Sequence, residues 1–383
     1  MTISGRRFAD LLEQHGFDLF TGVPCSMIED LIAVLESHPR LPYVAAVKED
    51  VAVGIAAGAW LGGKTPAVLM QNSGLGTSLN ALASLSLMYG FPALLVVTWR
   101  GHGGKDAPEH ILMGEISPAL LDLLGIPHRV IAADSLDADL AWAAREMQER
   151  MQPVALLVPP RVVEMGQTHA DDGATALGRE AEDRTKPDAT DKPRRPTMSR
   201  LAALGVALKQ IGREPIVHAN GYICRESFSI SDRPESFYMI GSMGLAPAIA
   251  LGVALARPET TTVVFDGDGN LLMNLGILAQ VAAAQPRRFV HCVFDNEAYG
   301  STGNQRSPSR DVRLDRVALA AGYRSSVAVT DPAGLEAALR DAFASEGPRF
   351  VLVKVTREEA DVPRIPYTPN ELRDRFRASL LTG

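Results

Sequence analysis

Residues 265–270, FDGDGN, place two carboxylates at the carboxyl end of an apolar β-run, TTVV. Asp268 lies between Gly267 and Gly269, whose lack of a Cβ permits a tight turn and close approach of a ligand to the backbone. Asn296 follows Asp268 by 28 residues, the length of one helix and one strand, at the end of a second apolar run, RFVHCVF. Side chains so spaced can meet at the carboxyl edges of neighbouring parallel strands. One carboxylate, one amide oxygen and backbone carbonyls form an all-oxygen donor set. Such a set suits Mg²⁺, which keeps waters and borrows further oxygens from a phosphate. A helix expected to start near Leu271 turns its N-terminal amides toward that phosphate. Asp266 has no role in this arrangement.

The elements that must carry these residues are legible from hydrophobic patterning. Strand candidates in the first half are YVAAV, PAVLMQNS, PALLVVTWRG, HRVIAAD and PVALLVPP. In the second half they are PIVHANG, TTVVFDGDG, RFVHCVFDN, SSVAVTD and RFVLVKVTR. Helical stretches such as EDVAVGIAAGAWLGG and LLMNLGILAQVAAAQ fall between them. Continuous apolar strands alternating with helices predict α/β architecture, with parallel sheets covered on both faces. Residues 166–198 are rich in charge, Pro, Thr and Ala and nearly free of large apolar side chains, the composition of a linker. The expected organisation is therefore two doubly wound parallel-sheet domains, 1–165 and 199–383, joined by 166–198.

Composition excludes several function classes. The net charge of −7 lacks the basic footprint of a general nucleic-acid binder. No apolar run reaches the length of a bilayer span, and the first residues lack a secretory apolar core. Cys25, Cys224 and Cys292 are odd in number and widely spaced, which suggests neither a disulfide framework nor a zinc site. A cytoplasmic protein is expected. A nucleotide-binding protein using Asp268 for Mg²⁺ would need a phosphate loop of the GxxxxGK[ST] type, and none is present.

GDGN followed by DNEAYG resembles the cofactor motif of thiamine diphosphate-dependent decarboxylases and their relatives. The resemblance implies Asp268, Asn296 and the backbone carbonyl of Ala298 as Mg²⁺ ligands, with Gly267, Gly269 and Asn270 at the diphosphate. These families usually have Asn-Asn where this chain has Asp295-Asn296; the ligating position is the second. The segment FYMIGSMG matches the loop that places a bulky residue, here Met243, beneath the cofactor, with the Gly241 carbonyl accepting from its amino group. Asn220, Gly221, Ser242 and Tyr299 complete the implied cofactor set. The order strand, Glu49, small-residue helix, Gly-Lys-x-Pro, strand and SGLG resembles the pyrimidine-binding domain of the same superfamily. It implies Glu49 as the acid that activates the cofactor, with adjacent Asp50 as the rival. In that superfamily each site is shared between subunits, so a homodimer or a dimer of dimers is implied, with sites at the subunit interface.

A compact chain with no third domain is similar to the decarboxylases of 3-sulfopyruvate and 3-phosphonopyruvate. GVPCS, VGIAAGA, the MG of HILMG and AYGSTGNQ resemble the sulfopyruvate enzymes; the fused chain and KDAPEH resemble the phosphonopyruvate enzymes. The implied reaction is non-oxidative decarboxylation of an anionic 2-oxo acid. 3-Sulfopyruvate is the first expectation, 3-phosphonopyruvate the alternative, and an acetolactate-type carboligase ranks behind both. Candidates for binding the head anion are Arg100, His102, Lys105, His110 and Arg306, Arg suiting a multi-oxygen anion through its planar fork; Ser26 and Asn72-Ser73 stand where the larger pyruvate decarboxylases that the chain resembles carry an Asp and a His pair, which implies small polar groups at the substrate. His102 and His110 are the candidates for delivering the final proton.

Overall fold

The computed structural model describes residues 2–164 and 195–382. The chain divides into two compact units. In the first, β1 (Leu19–Gly22), β2 (Tyr43–Ala45), β3 (Pro66–Gln71), β4 (Leu94–Thr98), β5 (His128–Val130) and β6 (Val154–Val158) form a parallel sheet in the order β2-β1-β3-β4-β6-β5. In the second are β7 (Ile216–His218), β8 (Ser236–Tyr238), β9 (Thr262–Gly267), β10 (Phe289–Asp295), β11 (Ala298–Tyr299), β12 (Gln305–Arg306), β13 (Ser325–Val329) and β14 (Arg349–Lys354). Six of these form a second parallel sheet, β13-β14-β10-β9-β7-β8, and β11 and β12 pair as an antiparallel ribbon. Two six-stranded parallel sheets are thus present among the described residues, as the continuous apolar strand runs predicted.

The central strands β3, β4, β6, β9 and β10 are buried along nearly their whole length. Residues buried on both faces need helical cover, and the helices supply it. The Glu49–Leu61 helix is buried from Val51 through Ala59, so small and branched apolar residues surround its axis rather than a single stripe. The Ala246–Ala256 helix is buried in the same way from Ala246 through Ala254. Both begin at the carboxyl-edge loops where ligands bind in doubly wound sheets.

Three details differ from the sequence expectations. β1 and β8 are strands of four and three residues that the pattern does not mark. The stretch LLMNLGILAQVAAAQ is not one helix. The first helix starts at Asp268 rather than Leu271 and stops at Met273, where Asn274 leaves helical geometry at φ −142°; a second runs Ile277–Ala284. Of the expected linker, residues 166–194 lie outside the described residues. At 197–198 the chain is already tied to the second unit: the Thr197 amide donates to the Thr330 carbonyl, and the Thr356 amide to the Met198 carbonyl.

Candidate active site

In the second unit the carboxyl ends of β9 and β10 bring the predicted residues together. A cavity of about 100 Å³ is lined by Asn220, Gly221, Met243, Gly267, Asp268, Gly269, Asn270, Asn296, Ala298 and Tyr299, all expected from the sequence. It is also lined by Arg200, Tyr222, Ile223, Phe294, Gly300 and Ser301, which were not. Gly241 and Ser242 do not line it. Ser242 is buried and holds a left-handed φ of 52°, so it shapes the loop that carries Met243.

Asp268 is almost fully buried. Burial and the neighbouring Asp295 push its carboxyl up to about 6, against hydroxyl and amide donors that pull it down. The Ser309 hydroxyl lies 2.9 Å from Asp268 Oδ2 and 2.8 Å from Asp295 Oδ1. One hydroxyl proton cannot fully serve two carboxylates. Lys354 Nζ offsets Asp295 from its other oxygen at 2.8 Å. Asp268 forms no ion pair with a cationic side chain among the described residues. This geometry fits a divalent cation at Asp268. Ser309 and Lys354 carried no sequence signal, since each lies far along the chain from the motif.

The adjoining backbone fits a diphosphate. A Cβ at Gly269 would lie 2.5 Å from Tyr299 Cε1, so the turn and the tyrosine ring can approach only because position 269 is glycine. Asn296 is buried, and its Oδ1 accepts from the Ala298 amide at 3.2 Å. Between them Glu297 adopts φ 57°, held by Lys354 at 2.6 Å and by its own amide donating to Asp295 at 2.9 Å. The Asn270 side chain does not point freely into the cavity. Its Oδ1 accepts from the Gly244 amide at 2.6 Å, and its Nδ2 donates to Asp266.

In the first unit Glu49 opens its helix and is half-buried; its Oε2 accepts from the Thr77 hydroxyl at 3.2 Å. A Cβ on Gly74 would lie 2.4 Å from Glu49 Cγ, so the SGLG segment of the Asn72–Thr77 helix leaves space for this side chain. The rival Asp50 is paired with Lys48 at 2.7 Å. The anion-binding candidates are placed less simply. Arg100 is engaged by Asp106 in a two-pronged pair at 2.7 and 2.6 Å, and that pairing with two loop amides holds Asp106 well below the usual carboxylate range. Asn72 is fully buried, its Nδ2 donating to the Arg100 carbonyl and to Ser117, while its Oδ1 has no partner. Ser26, Ser73, Lys105 and His102 are exposed, His102 lying against the Trp99 ring at 4.2 Å. His110 is half-buried, 3.8 Å from Glu109. Arg306 is exposed on the ribbon, directly opposite Ala298.

Comparison with known proteins gives this arrangement its context. Residues 4–120 match the family described as thiamine pyrophosphate enzyme, N-terminal TPP binding domain, and residues 221–353 its C-terminal TPP binding domain. The chain is 39% identical over 372 residues to a phosphonopyruvate decarboxylase of Streptomyces viridochromogenes, covering 96% of this chain and 92% of that one. It is 32% identical over 374 residues to a sulfopyruvate decarboxylase of Methanosarcina acetivorans, covering 97% and 96%. Its fold matches the crystal structure of benzoylformate decarboxylase from Polynucleobacter necessarius with a TM-score of 0.72 at 14% identity, covering 94% of this chain and 100% of that one. With each half matched to its own cofactor-binding domain and near-full-length relatives above 30% identity, the chain belongs to the thiamine diphosphate-dependent 2-oxo acid decarboxylases.

Proposed function

We propose that the substrate is 3-phosphonopyruvate, which takes up one proton and yields phosphonoacetaldehyde and carbon dioxide. The observation that carries this reading is the 39% identity over 96% of the chain to a phosphonopyruvate decarboxylase, against 32% to a sulfopyruvate decarboxylase. The fused chain and the KDAPEH segment support it. These likenesses favour the phosphonate over the sulfonate that the sequence motifs put first.

In this reading Asp268, Asn296 and the Ala298 carbonyl hold Mg²⁺, and Gly267, Gly269 and Asn270 border the diphosphate. Thiamine diphosphate, when bound, would supply a sink for the electron pair left on carbon as carbon dioxide departs. Glu49 holds a proton at its carboxyl against the cofactor's pyrimidine ring. Arg100, Lys105 and Arg306 attract the phosphonate, with the Asp106 pair fixing the Arg100 fork; Ser26 and Ser73 border the carboxylate, and buried Asn72, its NH₂ spent on the Arg100 carbonyl and Ser117, holds the Arg100 backbone. His102 or His110 returns the proton to carbon. The working unit is a homodimer or a pair of dimers, in which Glu49 of one subunit meets Asp268 of another.

The test is a direct comparison of 3-phosphonopyruvate, 3-sulfopyruvate and pyruvate, following aldehyde by coupled reduction. The expected result is a kcat/KM for the phosphonate at least about tenfold above the others, a difference that about 1.4 kcal/mol of differential transition-state binding provides. A higher value for 3-sulfopyruvate replaces this reading with the sulfonate.

A further inference from the structure

Asp266, the acidic residue of FDGDGN with no expected role, sits with 0% exposure on β9. Its oxygens face three N–H groups. Oδ1 accepts from the Gly267 amide at 2.8 Å and from Asn270 Nδ2; Oδ2 lies 3.0 Å from His291 Nε2. His291, on the neighbouring strand β10, also has 0% exposure, and its Nδ1 lies 3.1 Å from the hydroxyl of fully buried Tyr323. With Nε2 donating to the carboxylate, Nδ1 accepts the tyrosine proton, and every member of the chain is served.

A polar chain of this kind inside a sheet is costly. Buried pairs of this sort are often matched or bettered in stability by apolar residues of similar volume. Its near end, however, reaches the cofactor loop. Asn270 spans from Asp266 to the Gly244 amide, at 2.6 Å on the loop side. That loop needs holding: Ser242 and Gly244 both have left-handed backbone, at φ 52° and 96°, and between them Met243 enters the cavity beside Gly269.

We propose that Asp266 and His291 are positioning residues: their buried chain to Tyr323 fixes the rotamer of Asn270 and, through it, the backbone that presents Met243 to the cofactor. Neither side chain reaches the cavity itself. The inference rests on the cofactor reading of that cavity.

The test uses the full-length chain and calorimetric titration with thiamine diphosphate in the presence of Mg²⁺, with thermal unfolding of each cofactor-free variant in parallel. The double variant Asp266→Val with His291→Phe replaces the pair by apolar residues of suitable shape. It leaves the Gly267 amide, Asn270 Nδ2 and the Tyr323 hydroxyl without these partners, so its unfolding temperature is expected to fall, and the folded variant is expected to bind the cofactor about 10- to 100-fold more weakly. Asp266→Asn is expected to rescue: its amide oxygen still accepts from Asn270 and Gly267, and its NH₂ donates to His291 once the imidazole proton moves to Nδ1. Should the double variant not fold, His291→Leu, which leaves Asp266 its two other donors, carries the same direction of change. Wild-type affinity in a folded double or His291→Leu variant overturns the proposal, as does an Asp266→Asn variant as weak as the double. A wild-type chain that does not bind thiamine diphosphate sinks the cofactor reading instead.

Discussion

Glu49 and Asp268 are both carboxylates placed at the start of a helix, and their surroundings ask different things of them. Glu49 rests over Gly74 with Thr77 as its donor, an arrangement that fixes the carboxyl without supplying a cation. Glu49→Gln preserves that shape and removes only proton exchange. Turnover is expected to fall about 10²- to 10⁴-fold while calorimetric cofactor affinity stays within a few-fold; wild-type turnover would remove Glu49 from the mechanism. Asp268, by contrast, is pushed up to about 6 by burial and Asp295. A raised folded-state value means that proton uptake stabilises the cofactor-free protein. That contribution is complete below the ordinary carboxylate value of 3.8 and is lost as pH rises through about 6. A metal cation reverses the demand, because it must displace the proton. Cofactor affinity measured with Mg²⁺ is therefore expected to level off above pH 6 and to fall about fivefold from pH 6 to pH 5. A flat profile over that range would show that Asp268 does not exchange its proton for metal.

At the scale of elements, the cavity depends on helices that the cofactor motif does not include. Arg200, on the Arg200–Lys209 helix, makes a two-pronged pair at 2.9 and 2.7 Å with Glu226, on the Tyr222–Ile230 helix. Both side chains are buried, at 6% and 0% exposure, and the guanidinium also lies 5.2 Å from the Tyr222 ring. The pair locks the first turn of the second helix, where Gly221 and Tyr222 line the cavity. Glu226→Ala strands a buried guanidinium, and chemical denaturation is expected to show a loss of about 3–5 kcal/mol. A loss under about 1 kcal/mol would mean that water or another acceptor serves Arg200. None of this was legible in the sequence. Long apolar runs marked β3, β4, β6, β9 and β10, because strands buried on both faces are apolar throughout. β1 and β8 escaped although β2, β5 and β7 are just as short, because LFTG and SFY contain no Val or Ile, the β-branched residues that mark the other three. That residues 267–270 share one cavity with Asn296, Ala298 and Tyr299 was legible because they lie within a few residues of two strand ends. Ser309, Lys354, Arg200 and the partners of Asp266 were not, since folding alone brings them to the motif. Arg100 illustrates the converse: its charge was visible and its commitment to Asp106 was not.

At the scale of the molecule, the two carboxylates of the proposed site lie in different compact units: Glu49 in the first, Asp268 in the second. Each unit has its own parallel sheet and its own buried residues. This permits a test of the proposed subunit-shared site by complementation. A chain carrying Glu49→Gln and one carrying Asp268→Ala are each expected to be nearly inactive. When the two are unfolded, mixed in equal amounts and refolded, random pairing makes half of the dimers mixed. If Glu49 and Asp268 meet across the interface, each mixed dimer contains one doubly damaged site and one intact site. Roughly a quarter of wild-type activity then returns. If the two residues meet within one chain, every site in the mixture carries one lesion and nothing returns. Light scattering on the wild-type chain supplies the companion measurement, for which a dimer or larger assembly is expected. A monomer with full activity would exclude a shared site at once, and a dimer without complementation would place both groups of each site in the same subunit.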